Sequence, residues 1–205
     1  MKLIDLSHTL DNSTPSFPGD AELRLERYRR LEADHYNAFL LSTGLHTGTH
    51  IDLPMHLLED GRTAADFPPG AFCGRGVLVD AAGQNPIALP ERLKTADLSG
   101  TVLVIHTGFS ASFRDPRYFT DYPPLSEEFA EFLLHSGIKM LGIDTPSPDH
   151  PPYTLHKRLL AAGIFLLENL TNLEALAGLT DFEIMALPLK IAAEGSPVRA
   201  VAVLR

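Results

Sequence analysis

Proline and glycine residues, scattered along the whole chain, constrain its fold more strongly than any other feature. The 205 residues include 16 prolines and 15 glycines, and no internal repeat or low-complexity linker groups them. Because both residue types interrupt helices and central strands, we expect many loops joined by short elements. Apolar, partly β-branched segments bounded by turn residues indicate buried strands at 76–80, 101–106, 140–144 and 164–167.

Two stretches have the pattern of helices. In 126–136, Ser126 can cap the first turn and Gly137 can end the helix, whereas 156–162 is a shorter helix that Gly163 ends. Further strands are expected at 2–6, 21–31, 39–43, 182–188 and 198–204. The sequence therefore predicts an α/β fold with more strands than helices, in one domain that spans residues 1–205.

The overall charge and apolar content narrow the class of protein. The chain has 17 lysines and arginines against 26 aspartates and glutamates, a formal net charge of −9. This acidity disfavours nucleic acids and anionic membranes as partners, but it does not exclude a small-molecule substrate, even an acidic one. Hydrophobic residues make up 44% of the chain, enough for a core without a structural metal, so any metal site is expected to be catalytic.

The single cysteine, Cys73, cannot form an internal disulfide and fits a reducing compartment, so we expect a cytoplasmic protein. The first ten residues, MKLIDLSHTL, lack a long apolar core and contain Asp5, which is typical of a strand and not of a signal peptide. No apolar run approaches the ~18 residues of a membrane span.

One eleven-residue segment contains a dense group of polar side chains: His46-Thr47-Gly48-Thr49-His50-Ile51-Asp52-Leu53-Pro54-Met55-His56. Three histidines and an aspartate occupy even positions, which share one face of an extended chain. We expect an extended or turning backbone in which Gly48 leaves room for a metal or substrate. Imidazole and carboxylate ligands together suit zinc, manganese, iron or cobalt. The alternative is an exposed loop that is rich in histidine by chance.

A second pair of candidate ligands lies more than a hundred residues downstream. His156 falls on the short predicted helix, and Glu168 follows the strand at 164–167. A buried carboxylate needs a partner, which a metal could supply; alternatively, Glu168 caps the next turn with Asn169. For His8 and Asp144 the sequence leaves open whether they line a pocket or have a structural role. His106 is expected in the core. The surface is the expected place of His35, His135 and His150.

The order of several motifs resembles the cyclase-type metal hydrolases, a family that includes the bacterial kynurenine formamidases. The 46–56 segment has the spacing H-x-G-T-H-x-D-x-P-x-H. The accompanying stretches are Asp5-Leu6-Ser7-His8, Phe17-Pro18-Gly19-Asp20, Gly142-Ile143-Asp144-Thr145-Pro146-Ser147, His156, Glu168-Asn169-Leu170, Leu187-Pro188 and Gly195-Ser196-Pro197-Val198-Arg199-Ala200. The resemblance implies a swivelling β/β/α fold, in which a mixed, barrel-like sheet has a few peripheral helices, and a homodimer or larger homo-oligomer.

The resemblance also implies a site with two divalent metal ions, zinc first and manganese as the alternative. By matching positions, His46, His50 and Asp52 would bind one ion and His156 the other. Asp52 and Glu168 would bridge both ions.

The activity that the resemblance implies is hydrolysis of N-formylkynurenine to kynurenine and formate by a hydroxide that bridges the two ions. His56 would stay free for acid–base chemistry. Phe17 would stack on the substrate at a position where the formamidases usually have tryptophan. Two alternatives stay open: a hydrolase of cyclic amides or lactones, like the isatin hydrolases, and a metal-binding protein without catalytic activity.

Overall fold

The structure, a computed structural model, describes residues 1–204 and contains one large curled sheet with helices packed on one of its faces. Strands β1 to β11 are, in chain order, Lys2–Asp5, Arg24–Arg29, Ala38–Ser42, His50–Asp52, Cys73–Asp80, Val102–His106, Met140–Ile143, Phe165–Glu168, Glu183–Met185, Gly195–Pro197 and Val201–Leu204. Helices α1 to α3 are Leu31–Asp34, Glu127–His135 and Thr154–Ala161. The predicted α/β class, with more strands than helices, is confirmed.

The large sheet has nine strands in the order β1-β11-β9-β5-β6-β7-β8-β4-β10. Its centre, β5 to β8, is parallel, and the strands on either side pair antiparallel. Parallel neighbours need crossover connections, and α2 and α3 supply two of them between β6 and β8. The antiparallel strand β4, which contains part of the histidine segment, thereby lies directly beside β8.

Both faces of the central strands are buried, but they meet different partners. Leu103 of β6 lies in a cluster with Phe129 of α2. Its neighbour Val104 points the other way and shares a cluster with Ile51 of β4 and Ile184 of β9. Because β4 and β9 lie on opposite sides of β6 in the sheet, their shared core requires the sheet to curl around this second cluster.

Helices α2 and α3 agree with the sequence pattern to within two residues. The Ser126 hydroxyl accepts a hydrogen bond from the Phe129 N–H at 3.2 Å, which confirms it as the N-terminal cap of α2. Helix α3 begins at Thr154, two residues earlier than predicted, and buries His156. Within residues 1–204, no helix is long and apolar enough to cross a membrane.

The strand predictions were least accurate near the C-terminus. The strand expected over 198–204 forms only at Val201–Leu204, and the strand expected over 182–188 only at Glu183–Met185. A further strand, Gly195–Pro197, was not predicted because proline and glycine disfavour strands. Proline is tolerated there because β10 is an edge strand of the sheet. The backbone N–H that proline lacks is not needed for a hydrogen bond to a further strand.

Strands β2 and β3 form a separate two-stranded ribbon that does not join the large sheet. The predicted strand over 21–31 is shortened to Arg24–Arg29 because Leu31 begins the single helical turn α1. Asn12 ties the base of this ribbon to the preceding loop, since its side chain both donates to and accepts from the backbone of Leu25.

Candidate metal centre

The histidine segment is not one extended strand. Only His50–Asp52 forms β4, the preceding residues make a turn, and Pro54–His56 makes one turn of 3-10 helix. The expected extended or turning backbone is confirmed, and strand alternation accounts only for the shared face of His50 and Asp52 in β4. The backbone turns on both sides of the strand bring the outer histidines, His46 and His56, to the same place.

Gly48 has a different role from the one expected. Its φ is +64°, and a Cβ at this position would lie 2.4 Å from Cδ2 of Leu10. The glycine therefore permits a left-handed turn packed tightly on Leu10, and does not open space for a ligand.

His50 and Glu168 are joined by strand register. They are directly opposite each other in the antiparallel pair β4–β8, so their side chains lie on the same face. His50 Nε2 is 3.5 Å from Glu168 Oε2 and 3.2 Å from Asp52 Oδ1. All three side chains are buried, with exposures of 4% or less.

Asp52 lies at the centre of the cluster. One carboxylate oxygen, Oδ1, is 2.6 Å from His46 Nδ1, and the other, Oδ2, is 2.9 Å from His156 Nε2. Burial opposes ionisation of this group, but the facing histidines outweigh it and hold the pKa of Asp52 well below its usual value. Burial and the charge of Asp52 act in the opposite direction on Glu168 and raise its pKa.

His156 reaches the cluster from helix α3. Its Nδ1 is 3.3 Å from the Ser147 hydroxyl and 3.8 Å from Glu168 Oε1. Asp52 and Glu168 each approach both His50 and His156, so the two carboxylates lie between these histidines. Burial disfavours a charge on His156, but the two carboxylates raise its pKa.

The donor atoms of this cluster fit divalent metal ions. His50 Nδ1 is 2.8 Å from the Gly48 carbonyl and donates its proton there, which leaves the Nε2 lone pair facing two carboxylates. Such an arrangement requires a cation at Nε2, either a proton or a metal. Without a metal, Asp52 and Glu168 overcome burial and raise the pKa of His50 to about 10.

One unpaired atom supports the same conclusion. Glu168 Oε1 is buried without any hydrogen-bond partner. Donor atoms of His50, Asp52 and Glu168 lie within 4.8 Å of one another, as do those of His46, Asp52 and His56. A buried set of imidazoles and carboxylates at this spacing is typical of zinc or a similar ion. Because Glu168 points into this cluster, its alternative role as a cap for the following turn is not supported.

His56 lies beside the cluster, on its 3-10 turn. Its ring centroid is 4.1 Å from that of His46 and 5.4 Å from that of His156. Burial lowers the pKa of His56 to about 4, although Asp52 acts against this shift. At neutral pH its ring is therefore uncharged and can accept a proton.

The cluster forms the floor of a pocket of about 380 Å³. Phe17 and Phe119 both line this pocket. Their rings pack edge to face, with centroids 5.4 Å apart. Asp20, in the same motif as Phe17, also lines the pocket. The sequence did not single out four other lining residues: Leu57, Phe119, Tyr153 and Glu194. The last three reach the pocket from distant segments and had no local signal.

Asn169 supports the turn that precedes β4. Its side-chain amide donates to the Gly48 carbonyl at 2.9 Å, and its Oδ1 accepts from the Tyr118 hydroxyl at 2.9 Å. The Thr49 hydroxyl donates to the Asn169 backbone carbonyl at 2.6 Å. These buried hydrogen bonds hold the turn against the strand end that contains Glu168.

The remaining polar candidates have structural contacts. His8 does not line the pocket and stacks on Phe113 with ring centroids 3.8 Å apart. Asp144 is buried and accepts hydrogen bonds from the backbone N–H groups of Thr107 and Gly108, both at 2.9 Å, which favours its capping role. His106 is hydrogen-bonded to Asp80 at 3.1 Å. His35, His135 and His150 are exposed, as expected.

Comparison with known families tests the resemblance that the motifs carry. The sequence pattern of the family described as "Cyclase: Putative cyclase" matches residues 4–150, which is well over half of the chain. The chain belongs to the cyclase family. The motif order described above, from Asp5 to the central Asp144 segment, lies inside this match.

Two relatives show that the likeness to cyclase-family proteins extends over almost the whole chain. Kynurenine formamidase from Bacillus cereus (strain ATCC 14579) is 33% identical over 204 residues, 97% of this chain and 95% of the relative. Kynurenine formamidase from Geobacillus thermodenitrificans (strain NG80-2) is 35% identical over 208 residues, 96% of this chain and 95% of the relative.

Among solved structures, isatin hydrolase A from Ralstonia solanacearum has a TM-score of 0.86 at 25% identity, covering 100% of this chain and 92% of that one. A structure described as a potential metal-dependent hydrolase with cyclase activity has a TM-score of 0.75 at 22% identity, covering 98% of this chain and 96% of that one. These likenesses confirm the predicted cyclase-like fold.

Proposed function

We propose that this chain is a metal-dependent amide hydrolase, specifically an arylformamidase that converts N-formylkynurenine to kynurenine and formate. The observation that carries the proposal is the buried Asp52–Glu168 pair, held between His50 and His156 at the floor of an open pocket. The kynurenine formamidases that match 96–97% of the chain support N-formylkynurenine as the substrate. A protein that only stores metal has no need of such a pocket.

The positions of the side chains support the ligand set that the family resemblance implies. His46, His50 and Asp52 would hold one divalent ion and His156 a second, with Asp52 and Glu168 shared between them. Zinc is the first candidate and manganese the second, because imidazole and carboxylate ligands suit both. Bound there, the ions would supply Lewis acidity that activates water at neutral pH and polarises the formyl carbonyl.

The other pocket residues would orient the substrate and move protons. Phe17 and Phe119 form an aromatic corner that suits the aryl ring of the substrate. His56 takes a proton from water as its oxygen adds to the formyl carbon, and returns the proton to the aryl nitrogen as the C–N bond breaks. Its uncharged state at pH 7 allows the first of these transfers.

The role of His56 can be tested by the variant His56→Ala. We expect it to retain the metal content of the wild type and to lose turnover by about 10²- to 10⁴-fold, the usual contribution of a general acid–base group. Metal content is measured by elemental analysis and turnover by the release of kynurenine. Loss of metal in parallel with activity would make His56 a ligand, and full activity would exclude a catalytic role.

A second candidate activity is the opening of a cyclic amide, because isatin hydrolase A superposes on the entire chain. Turnover of N-formylkynurenine and isatin by the same metal-loaded preparation separates the two activities. A higher kcat/KM for isatin would replace the first proposal. Elemental analysis of that preparation should give two ions per chain; one ion would contradict the shared roles of Asp52 and Glu168.

We also propose that the chain forms a homodimer through the β2–β3 ribbon. Six large side chains there are at least half exposed: Tyr28, Leu31, Tyr36, Phe39, Leu40 and Leu41. Half of a large side chain is on the order of 100 Å², so the patch approaches the ~800 Å² that each partner buries in a stable interface. An isolated two-stranded ribbon is itself only marginally stable without such cover.

Charge favours a second copy of this chain as the occupant. Residues 24–30 contain four arginines and one glutamate, a net +3, which leaves −12 for the rest of a chain whose total is −9. The acidic body of a second copy attracts this basic strand when the ribbon packs against it, whereas an anionic membrane repels the acidic body of the chain. We further propose that the chain is cytoplasmic, because its single cysteine, Cys73, fits a reducing compartment. Cell fractionation can test this localisation.

Light scattering coupled to size exclusion measures the mass of the assembly. We expect a dimer for the wild type and a monomer for the double variant Phe39→Ser/Leu41→Ser, while Leu189→Ser, an exposed residue outside the ribbon, serves as the control. A monomeric wild type would refute the dimer. Binding of that monomer to anionic vesicles would make the ribbon a membrane-facing surface instead.

A further inference from the structure

His46 is the most exposed member of the proposed ligand set. Its side chain is 18% exposed, against 1% for Asp52 and 3% for His50. It also lies on a turn outside β4, so no strand register fixes its ring. A ligand in this position needs another contact to hold its orientation and to decide which ring nitrogen bears the proton.

The two ring nitrogens of His46 have different surroundings. Nδ1 is 2.6 Å from Asp52 Oδ1 and faces the cluster. Nε2 lies beside Gly195, is buried, and has no hydrogen-bond partner. The carboxylate nearest to Nε2 is Glu194, whose Oε1 is 3.6 Å away.

The backbone around Glu194 is held close to this ring. The Glu194 carbonyl accepts a hydrogen bond from the Leu53 N–H at 2.9 Å, next to β4. The following residue is Gly195, where a Cβ would lie 3.0 Å from Cε1 and 3.3 Å from Nε2 of His46. The absence of a side chain at Gly195 lets the His46 ring pack against the start of β10, beside the Glu194 carboxylate.

We propose that Glu194 is a positioning residue for His46. Its carboxylate accepts a hydrogen bond from Nε2–H, so that Nδ1 carries the lone pair that faces Asp52 and the metal. The Glu194 side chain is 37% exposed, which leaves it free to close the remaining distance from 3.6 Å to a hydrogen bond. Carboxylates that accept from the second nitrogen of a ligand histidine fix its tautomer and raise its basicity.

This inference rests on the proposed metal centre, but it does not depend on the substrate. It also explains why a partly exposed acid lines a pocket whose floor already contains Asp52 and Glu168. A carboxylate placed there only to attract substrate would not need the close packing between Gly195 and the His46 ring.

Chelator competition on the purified protein measures metal affinity directly. We expect Glu194→Ala to bind zinc about 10- to 100-fold more weakly than the wild type, the usual effect of removing such a partner. Glu194→Gln should restore part of the affinity, because its amide oxygen can still accept from Nε2–H. Glu59→Gln, which removes an exposed charge from a nearby loop, is the matched control and should bind as the wild type does.

Two further readouts separate positioning from general damage. The visible spectrum of the cobalt-substituted protein reports ligand geometry, and we expect it to change in Glu194→Ala but not in Glu59→Gln. The melting temperature of the metal-free protein should be the same in all variants, because the Glu194 side chain is partly exposed.

Three other results would contradict, in turn, the positioning role of Glu194, its place outside the ligand set, and the metal centre itself. Wild-type affinity and an unchanged cobalt spectrum in Glu194→Ala would overturn the positioning role and leave the metal centre intact. Loss of a whole metal equivalent would make Glu194 a ligand. A wild-type protein that takes up no metal would overturn the proposed function, and this inference with it.

Discussion

The variant Tyr118→Phe tests whether the buried hydrogen bonds behind the site hold it in place. Tyr118 is fully buried, and its hydroxyl donates to Asn169 Oδ1 at 2.9 Å. The Asn169 amide in turn donates to the Gly48 carbonyl, which also accepts from His50. Removing one oxygen atom therefore disturbs a chain of contacts that ends at a proposed ligand.

The magnitude follows from the atom that is left without a partner. Without the hydroxyl, Asn169 Oδ1 is buried and unsatisfied, which costs about 1–3 kcal/mol. In a chain of this size, 1 kcal/mol lowers the melting temperature by about 2–4 °C. A loss of ~2 kcal/mol thus predicts a melting temperature about 4–8 °C below that of the wild type, together with weaker metal binding.

Thermal unfolding of the metal-free protein, followed by circular dichroism, measures this change. Thr95→Val is the control, because it removes a hydroxyl from an exposed residue outside the proposed dimer interface. A melting temperature for Tyr118→Phe within 1 °C of both the wild type and this control would refute the argument. It would mean that Asn169 finds another donor and that the network does not constrain the site.

Three further variants have expected outcomes. Gly61→Ala places a Cβ 2.3 Å from backbone atoms of the 3-10 turn that contains His56. We expect about 1–3 kcal/mol of destabilisation by chemical denaturation and a lower kcat, and wild-type stability would contradict the packing argument. Phe119→Ala removes half of the aromatic corner and should raise KM about 3- to 10-fold with little change in kcat, whereas Phe119→Leu should raise it less; an unchanged KM in the alanine variant would exclude Phe119 from substrate binding. A side-chain hydrogen bond from Arg199 lowers the pKa of Asp5, so the contribution of this pair is present at neutral pH and lost as pH falls through the lowered pKa. Asp5→Asn should therefore cost about 0.5 kcal/mol at pH 7, because the pair is exposed, and this cost should shrink in denaturation curves measured below pH 4; a cost that stays constant with pH would contradict the ion pair.

Local features of the fold could be predicted from the sequence. Helix α2 has its cap, its acidic first turn and its terminating glycine within a dozen residues, so its bounds were predicted closely. The central strands are short apolar runs between turn residues, and their pattern needs no partner to be recognised. The spacing of His46, His50 and Asp52 likewise lies inside one segment.

Features that depend on the sheet could not be predicted in this way. The extended or turning backbone expected for 46–56 left open how the histidines meet, and two turns, not strand alternation, bring His46 and His56 together. Strand β10 is stable only as the edge partner of β4, despite its glycine and proline. The contact of Glu194 with His46 depends on that pairing, and so it had no signal in the sequence.

The sequence by itself determined the kinds of ligand and the presence of one compact segment that contains most of them. Only the tertiary structure decided that His50 lies opposite Glu168, which follows it by more than a hundred residues, and that Asp52 lies between His46 and His156. The physical reason is that side-chain chemistry and backbone preference act over a few neighbouring residues. Strand register between distant segments is instead set by how the whole sheet buries its two apolar clusters.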